Sequence, residues 1–349
     1  MATSRSVTID MIQTMTSNSV ATNFGAAAPA ARGDGTSEQP AAAERAASMR
    51  PAPRLSIGLP VYNGQLFLDQ CIESLQAQTF RDFELIICDN ASTDDTPRIA
   101  AEWARRDPRI SVHRADENRG AAANFNWAFE LSRGELFKWC AVDDLMEPTF
   151  LQECMNALER NPDATLAYTG TLDIDETGAV LGEIYDNRAN LQFGSGRADI
   201  RFRDLICNVH SCIPVFGIIR RDALLHSTLI APYVASDKVL LAQLGLRGRF
   251  VKLEGNLLLH RQHRKRSVTE NPSLQERAAW FNSRAKGKVY PHFRLGREYL
   301  LSALTAPLSL ADKLRCMVQL LRWFHWDGRQ GMLDDLRYYR RKAARAAGK

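Results

Sequence analysis

The sequence predicts an α/β protein built on a doubly wound, mostly parallel sheet. Short apolar runs alternate with helical periodicities in the order β-α-β-α-β-α-β from residue 54 to residue 144, an order that implies parallel strands joined by right-handed crossovers. Acidic residues close two of the strands, at Cys88-Asp89-Asn90 and at Val142-Asp143-Asp144. Ligands of open α/β sheets gather beyond the carboxyl ends of the strands, so the two acidic sites are expected to face one crevice.

The elements follow in order. A short apolar strand over 55–59 ends at Pro60, and Leu68, Cys71, Ile72 and Leu75 then keep helical spacing, with Asn63 a candidate cap. Strands are expected over 83–88 and 110–113, separated by a helix over 96–106 that Asp107-Pro108 closes. A helix over 121–131 leads to a strand over 136–142 that delivers Asp143 and Asp144, and a helix over 149–160 and a strand over 166–170 continue the alternation. Residues 173–184 read as a hairpin turning on Glu176-Thr177-Gly178. The second half is less regular: a strand over 214–220, a helix over 237–246, short strands over 250–253 and 257–260, and only helical patterns after 266.

Composition bounds the class. The 349 residues are 45% hydrophobic, enough for a sizeable core. The Ala-, Ser-, Thr- and Gly-rich stretch over 1–53 lacks periodicity and is expected to be a disordered tail. Net charge is +5, but residues 313–349 carry ten Lys and Arg against three Asp. That local excess fits an anionic membrane surface or a solvated helix face. Nothing suggests a nucleic-acid partner. The seven cysteines contain no Cys-x-x-Cys and fall mostly in apolar runs, so they read as reduced core residues in a cytoplasmic protein, peripheral at most to the membrane's inner face. No apolar run reaches the length of a membrane span, and no signal peptide is visible. Gly194-Ser195-Gly196 lacks the third glycine of a dinucleotide fingerprint, and the phosphate-loop and nucleophile-elbow motifs are absent.

Five ordered motifs carry a resemblance. Ser56-Ile57-Gly58-Leu59-Pro60-Val61-Tyr62-Asn63-Gly64, then Ser74-Leu75-Gln76-Ala77-Gln78-Thr79-Phe80, the Asp89 motif, Asn118-Arg119-Gly120 and Asp143-Asp144 together resemble a family 2 glycosyltransferase. The match is close over 55–150 and looser to about residue 265. The resemblance implies a GT-A fold over 54–265 with a basic helical extension over 266–349, a nucleotide-sugar donor, a divalent Mg or Mn ion, and inversion at the sugar carbon. It implies that Pro60, Tyr62 and Asn63 lie along the donor's base and ribose. Asp89 is expected to accept from a uracil N–H or ribose hydroxyl, an exchange no apolar side chain makes. Asn90 stands where the family commonly has a second Asp. Asp94 is a donor-site candidate, with an N-cap or turn role before the helix at Thr96 as its equal alternative.

Asp143 and Asp144 suit a metal–diphosphate site, because Mg or Mn takes one or two carboxylates and completes its shell with phosphate oxygens and water. Asp143 also belongs to the expected donor contacts. His263, in the basic run His260-Arg261-Gln262-His263-Arg264-Lys265-Arg266, is the candidate third ligand. Asp237 resembles the family's acidic site before a Leu-rich helix, with Ser236 in place of Glu, and is the candidate general base, its alternative being a helix N-cap. Gln319-x-x-Arg322-Trp323 copies a signature of processive family members but lies 82 residues past Asp237 (319 − 237), and Leu320, Leu321 and Trp323 read as a packing face. The expected partners are a UDP-sugar and a glycan or lipid-linked acceptor in cell-envelope or exopolysaccharide synthesis. A catalytically inactive nucleotide-sugar sensor and a sugar-phosphate nucleotidyltransferase are the alternatives.

Overall fold

The computed structural model describes residues 51–184, 191–264, 271 and 273–346. The tail expected over 1–53 lies, up to residue 50, outside them, as do Lys265 and Arg266 of the basic run.

The parallel half of the sheet comprises β1 (Leu55–Val61), β2 (Phe83–Asp89), β3 (Ile110–Arg114) and β4 (Leu136–Trp139), with β1 between β2 and β4 and β3 outside β2. All seven residues of β1 are buried, which is why it reads as an unbroken apolar run: helices cover both faces of a parallel sheet. Helices α1 (Leu68–Gln76), α2 (Thr96–Arg106) and α3 (Ala121–Glu130) make the crossovers, and α1 buries the predicted Leu68, Cys71, Ile72 and Leu75. Asn63 does not cap α1, which begins five residues later with Phe67 at its cap position.

The second half is mixed. It contains β5 (Leu145–Met146), α4 (Phe150–Arg160), β6 (Ala164–Ile174), β7 (Val180–Glu183), α5 (Ala198–Cys207), β8 (Ile218–Arg220), α6 (Arg221–Leu225), α7 (Ser236–Arg247) and β9 (Arg249–Arg261). The sheet order is β3-β2-β1-β4-β8-β6-β9-β5, with β7 on β6. Strands β8, β7 and β5 run antiparallel to their neighbours, while β6 and β9 are parallel.

Three predicted elements differ. The strand expected to reach Val142 stops at Trp139, and the chain turns through Asp143 and Asp144, Asp144 N donating to Ala141 O at 3.3 Å, before entering β5 at the opposite edge of the sheet. The two short strands expected over 250–260 are one, β9, because a two-residue slip against β6 absorbs the break at Glu254-Gly255, where Gly255 takes φ 89°. The strand expected from Pro214 begins only at Ile218, since Ile213–Phe216 coil into a 3-10 turn.

The C-terminal region forms α8 (Leu274–Phe281), α9 (Pro291–Thr305), α10 (Leu310–Trp323), a π turn (Phe324–Gly328) and α11 (Arg329–Ala346). Its Leu295, Tyr299, Ala303, Cys316 and Trp323 join the same apolar core as the sheet. Gln319 and Trp323 of the Gln-x-x-Arg-Trp run are buried, Trp323 edge-on to Tyr299 at 5.4 Å, but Leu321 faces outward and is no part of the packing face.

Candidate active site

At the carboxyl ends of β1 and β2 the two loops build one hydrogen-bonded network. Asp89 is buried; its Oδ1 accepts from Ser92 N at 2.9 Å, and Oδ2 has no hydrogen-bond partner, with Arg114 Nε 3.5 Å from it. Asn63, at φ 52°, ties the β1 loop to the β2 loop: its N–H donates to Ser92 Oγ at 2.8 Å and its Oδ1 accepts from Thr93 N at 2.8 Å, leaving Nδ2 buried and unbonded. A buried polar atom left unsatisfied costs roughly 1–3 kcal/mol; Asn63 Nδ2 is such a donor among the described residues, while Asp89 Oδ2 meets only the Arg114 guanidinium. Tyr62 is half-buried beside them, whereas Pro60 is buried within β1 opposite Cys88. Asp94 stands at the start of α2, where Oδ1 accepts from Thr96 N at 3.0 Å and Oδ2 from Gln65 N at 3.2 Å. Asp94 is not the cap, a position held by Asp95; both its oxygens serve the turn before the helix and the neighbouring loop, the geometry of the turn alternative.

Asn90 has a role that an acid there would not fill. Its Nδ2 donates to Asn118 Oδ1 at 2.9 Å and its Oδ1 accepts from Arg119 N at 3.0 Å, so the amide pins the Asn118-Arg119-Gly120 loop using donor and acceptor together.

The acidic pair meets two histidines from the end of β9. Asp143 Oδ2 lies 2.9 Å from His263 Nε2, and Asp144 Oδ1 lies 2.9 Å from His260 Nδ1 and accepts from Arg261 N at 3.2 Å. All four side chains are buried. Asp144 Oδ2 has no hydrogen-bond partner among the described residues. Arg261 locks the turn: its guanidinium donates to Asp143 O at 3.0 Å, to Asp175 O and Glu176 O at 3.1 and 2.8 Å, and to Gln70 Oε1 at 2.8 Å. Phe67 joins the loop after β1 to this cluster, edge-on to His263 at 4.9 Å and under Arg261 at 4.7 Å. Gly64 packs where a Cβ would come 2.9 Å from Val142, the neighbour of Asp143. The two predicted acidic sites are thereby brought into one continuous assembly.

These residues fit a divalent ion of the Mg or Mn kind. Among the described residues no group of three or more His, Cys, Asp or Glu gathers to enclose a metal alone. A buried carboxylate beside one imidazole is instead the partial donor set of a hard ion that takes its remaining ligands from phosphate and water.

Asp237 is buried in the first turn of α7, but it is not the cap: that position is Ala235, at φ 65° with no side-chain bond. Burial raises the Asp237 pKa above its ordinary value, against the opposing pull of Lys238, a Cys212 hydrogen bond and backbone N–H groups. Cys212 stands at the head of the 3-10 turn, which Lys138 of β4 holds to the sheet by donating to Phe216 O. A carboxylate whose charged form is disfavoured by burial is the better proton acceptor.

Sequence reasoning gave little weight to His260 and did not single out Arg261 or Lys138. A basic residue inside an apolar strand is their shared signal, since such a charge needs a buried partner. Gln78 of the Ser74–Phe80 motif is structural: it donates to Glu147 O at 2.9 Å and accepts from Leu151 N at 3.0 Å, clamping the chain that follows the acidic turn.

Residues 56–226 match glycosyl transferase family 2. The chain is 32% identical over 140 residues to the chondroitin synthase of Escherichia coli, covering 40% of this chain and 20% of that protein. It is 34% identical over 131 residues to the putative glycosyltransferase EpsE of Bacillus subtilis, covering 37% and 47%. The matches thus span a fifth to about half of the length of these relatives. Among solved structures, S. aureus TarS 1-349 in complex with UDP-GlcNAc is similar with a TM-score of 0.58 at 18% identity, over 80% of this chain and 74% of that one. The likeness shows that the sheet and its helices form a GT-A fold.

Proposed function

The chain belongs to glycosyltransferase family 2, and from that membership we propose that it is an inverting, non-processive, metal-dependent enzyme moving a sugar from a UDP-sugar to a glycan or lipid-linked acceptor in cell-envelope or exopolysaccharide assembly. The pairing of Asp143 with His263 at 2.9 Å, at the ends of two strands and beside the network of Asn63 and Asp89, carries this reading. The TarS complex with UDP-GlcNAc supports the choice of a uridine donor on the same fold.

In this reading Asp89 Oδ2 accepts from the base or ribose, Asn63 Nδ2 donates to it, and Tyr62 lies along it. Asp143 and His263 would hold the ion, and Asp144, tied to His260 and the Arg261 N–H, keeps the acidic turn in place. When bound, the ion offsets the negative charge of the departing nucleoside diphosphate. Asp237 takes the acceptor hydroxyl proton as that oxygen attacks the anomeric carbon and the bond from that carbon to the diphosphate oxygen breaks on the opposite face. Asn90 favours an active enzyme over an inactive sensor, since at this departure from the family pattern the amide still bonds Asn118 and Arg119 of the neighbouring loop.

Calorimetric titration of UDP, with and without Mn, tests the assignment. Wild type is expected to bind at least about tenfold more tightly with Mn, the scale of a lost metal contact, and Asp143→Ala and His263→Ala to lose that gain. Equal affinity in wild type and both variants, with or without Mn, refutes the metal site.

A further inference from the structure

Helix α10 is apolar on both sides, with Met317 and Leu320 packed against the core. Toward the core it presents Cys316, Gln319 and Trp323, while Leu310, Leu314 and Leu321 stand 75%, 60% and 68% exposed, with Val318 between them half out. Their spacing of four, four and three residues puts all four on one stripe of the helix. The π turn that follows adds Phe324 and Trp326, the latter 67% exposed. A contiguous apolar surface of this kind, with an exposed tryptophan at its end, marks an interaction site. Exposed Arg315, Arg322 and Arg329 border it; over residues 310–329 these and Lys313 stand against Asp312, which pairs with Arg315, and Asp327, a net +2.

We propose that α10 and the following π turn form a docking face for an anionic membrane surface, with α10 lying in the plane of the interface. An interfacial helix buries Leu, Phe and Trp at the headgroup–acyl boundary while Lys and Arg reach the acidic headgroups, and this helix supplies both sets of residues. No helix among the described residues is long and apolar enough to cross a membrane. A second copy of the chain is the less favoured occupant, because a twofold contact through this stripe sets its bordering arginines against themselves. Helix α9 packs on both α10 and α7, so the docking face is braced against the helix that carries Asp237. Resting on the glycosyltransferase reading in this one respect, the inference places the acceptor of the reaction at the membrane surface.

The test is sedimentation of the full chain with vesicles of mixed phosphatidylglycerol and phosphatidylcholine, compared with phosphatidylcholine alone. A triple variant, Leu314→Ser with Leu321→Ser and Trp326→Ser, changes exposed positions only. The wild type is expected to sediment with the anionic vesicles, at least tenfold more weakly with neutral ones, and less at high salt, and the triple variant to lose at least tenfold of its binding. Absence of vesicle binding overturns the proposal. So does undiminished binding by the triple variant, or a dimer seen by analytical ultracentrifugation that the triple variant dissolves without any vesicle binding. UDP titration of both proteins, which the docking face does not touch, separates failure of docking from failure of the donor-site reading.

Discussion

Replacing Asp237 with asparagine tests the chemistry and the electrostatics of the site in one protein. The amide keeps the shape of the carboxylate but takes no proton at neutral pH, so turnover with acceptor should fall about 100-fold to about 10,000-fold, or roughly 2.7 to 5.4 kcal/mol of barrier. Stability should move the other way. Burial raises the Asp237 pKa, so the folded chain holds this proton more tightly than the unfolded chain does. The stability linked to it is therefore complete below the unfolded value of about 3.9 and is lost as pH rises through the folded value. Above the unfolded value the wild-type side chain therefore carries a pH-dependent cost that the amide does not. Asp237→Asn should melt higher than wild type at pH 7, and the difference should shrink as pH approaches 4. UDP affinity should not change. The assays are melting curves from pH 4 to pH 8, UDP titration, and release of UDP in the presence of acceptor. Turnover within tenfold of wild type refutes Asp237 as the base; a lower melting temperature at pH 7 refutes the electrostatic reasoning.

Two further substitutions probe the strand-end loops. A methyl group at Gly64 would lie 2.5 Å from Val61 Cγ2 and 2.9 Å from Val142 Cγ2, so Gly64→Ala should destabilise by roughly 1–3 kcal/mol and weaken UDP binding by displacing the acidic turn; unchanged melting and affinity contradict this. Asn90→Asp restores the acid common in the family yet sets a carboxylate oxygen against Asn118 Oδ1, 2.9 Å from the present donor. Chemical denaturation should show a loss of roughly 1–3 kcal/mol, and a gain would mean that the amide does not hold the loop.

The parallel half of the fold was legible because its signals are local. β1 reads as an apolar run, α1 as four residues at helical spacing, and Asp89 bonds a backbone N–H only three residues on. The partners of the acidic pair were harder to read: His260 is 116 residues from Asp144 and His263 is 120 from Asp143. No local period links such positions, and the family resemblance, not the pattern, singled out His263. The strand carrying them looked like two because Gly255 marks a bulge, and residue types alone do not separate a bulge from a turn. Leu321 looked like core because helical spacing reports which residues share a face, not whether that face is covered.

Backbone conformation ties the two ends of the proposed reaction together. Five non-glycine residues among those described take left-handed φ: Asn63, Ala91, Cys212, Leu229 and Ala235. Each costs roughly 1–2 kcal/mol for an ordinary side chain, a cost that persists only where the surroundings over-determine it. Asn63 bridges the two strand-end loops, and Ala91 lies between Asn90 and Ser92, where the chain bends back so that Ser92 N reaches the Asp89 carboxylate. Cys212 hydrogen-bonds Asp237, and Ala235 starts the helix that holds it. Four of the five thus stand beside the proposed donor residues or the proposed base. The Ser92 N bond to Asp89 follows directly on Ala91, and Asp237 stands two residues past Ala235, so in the proposed reaction the strained positions adjoin the side chains assigned to donor and acceptor.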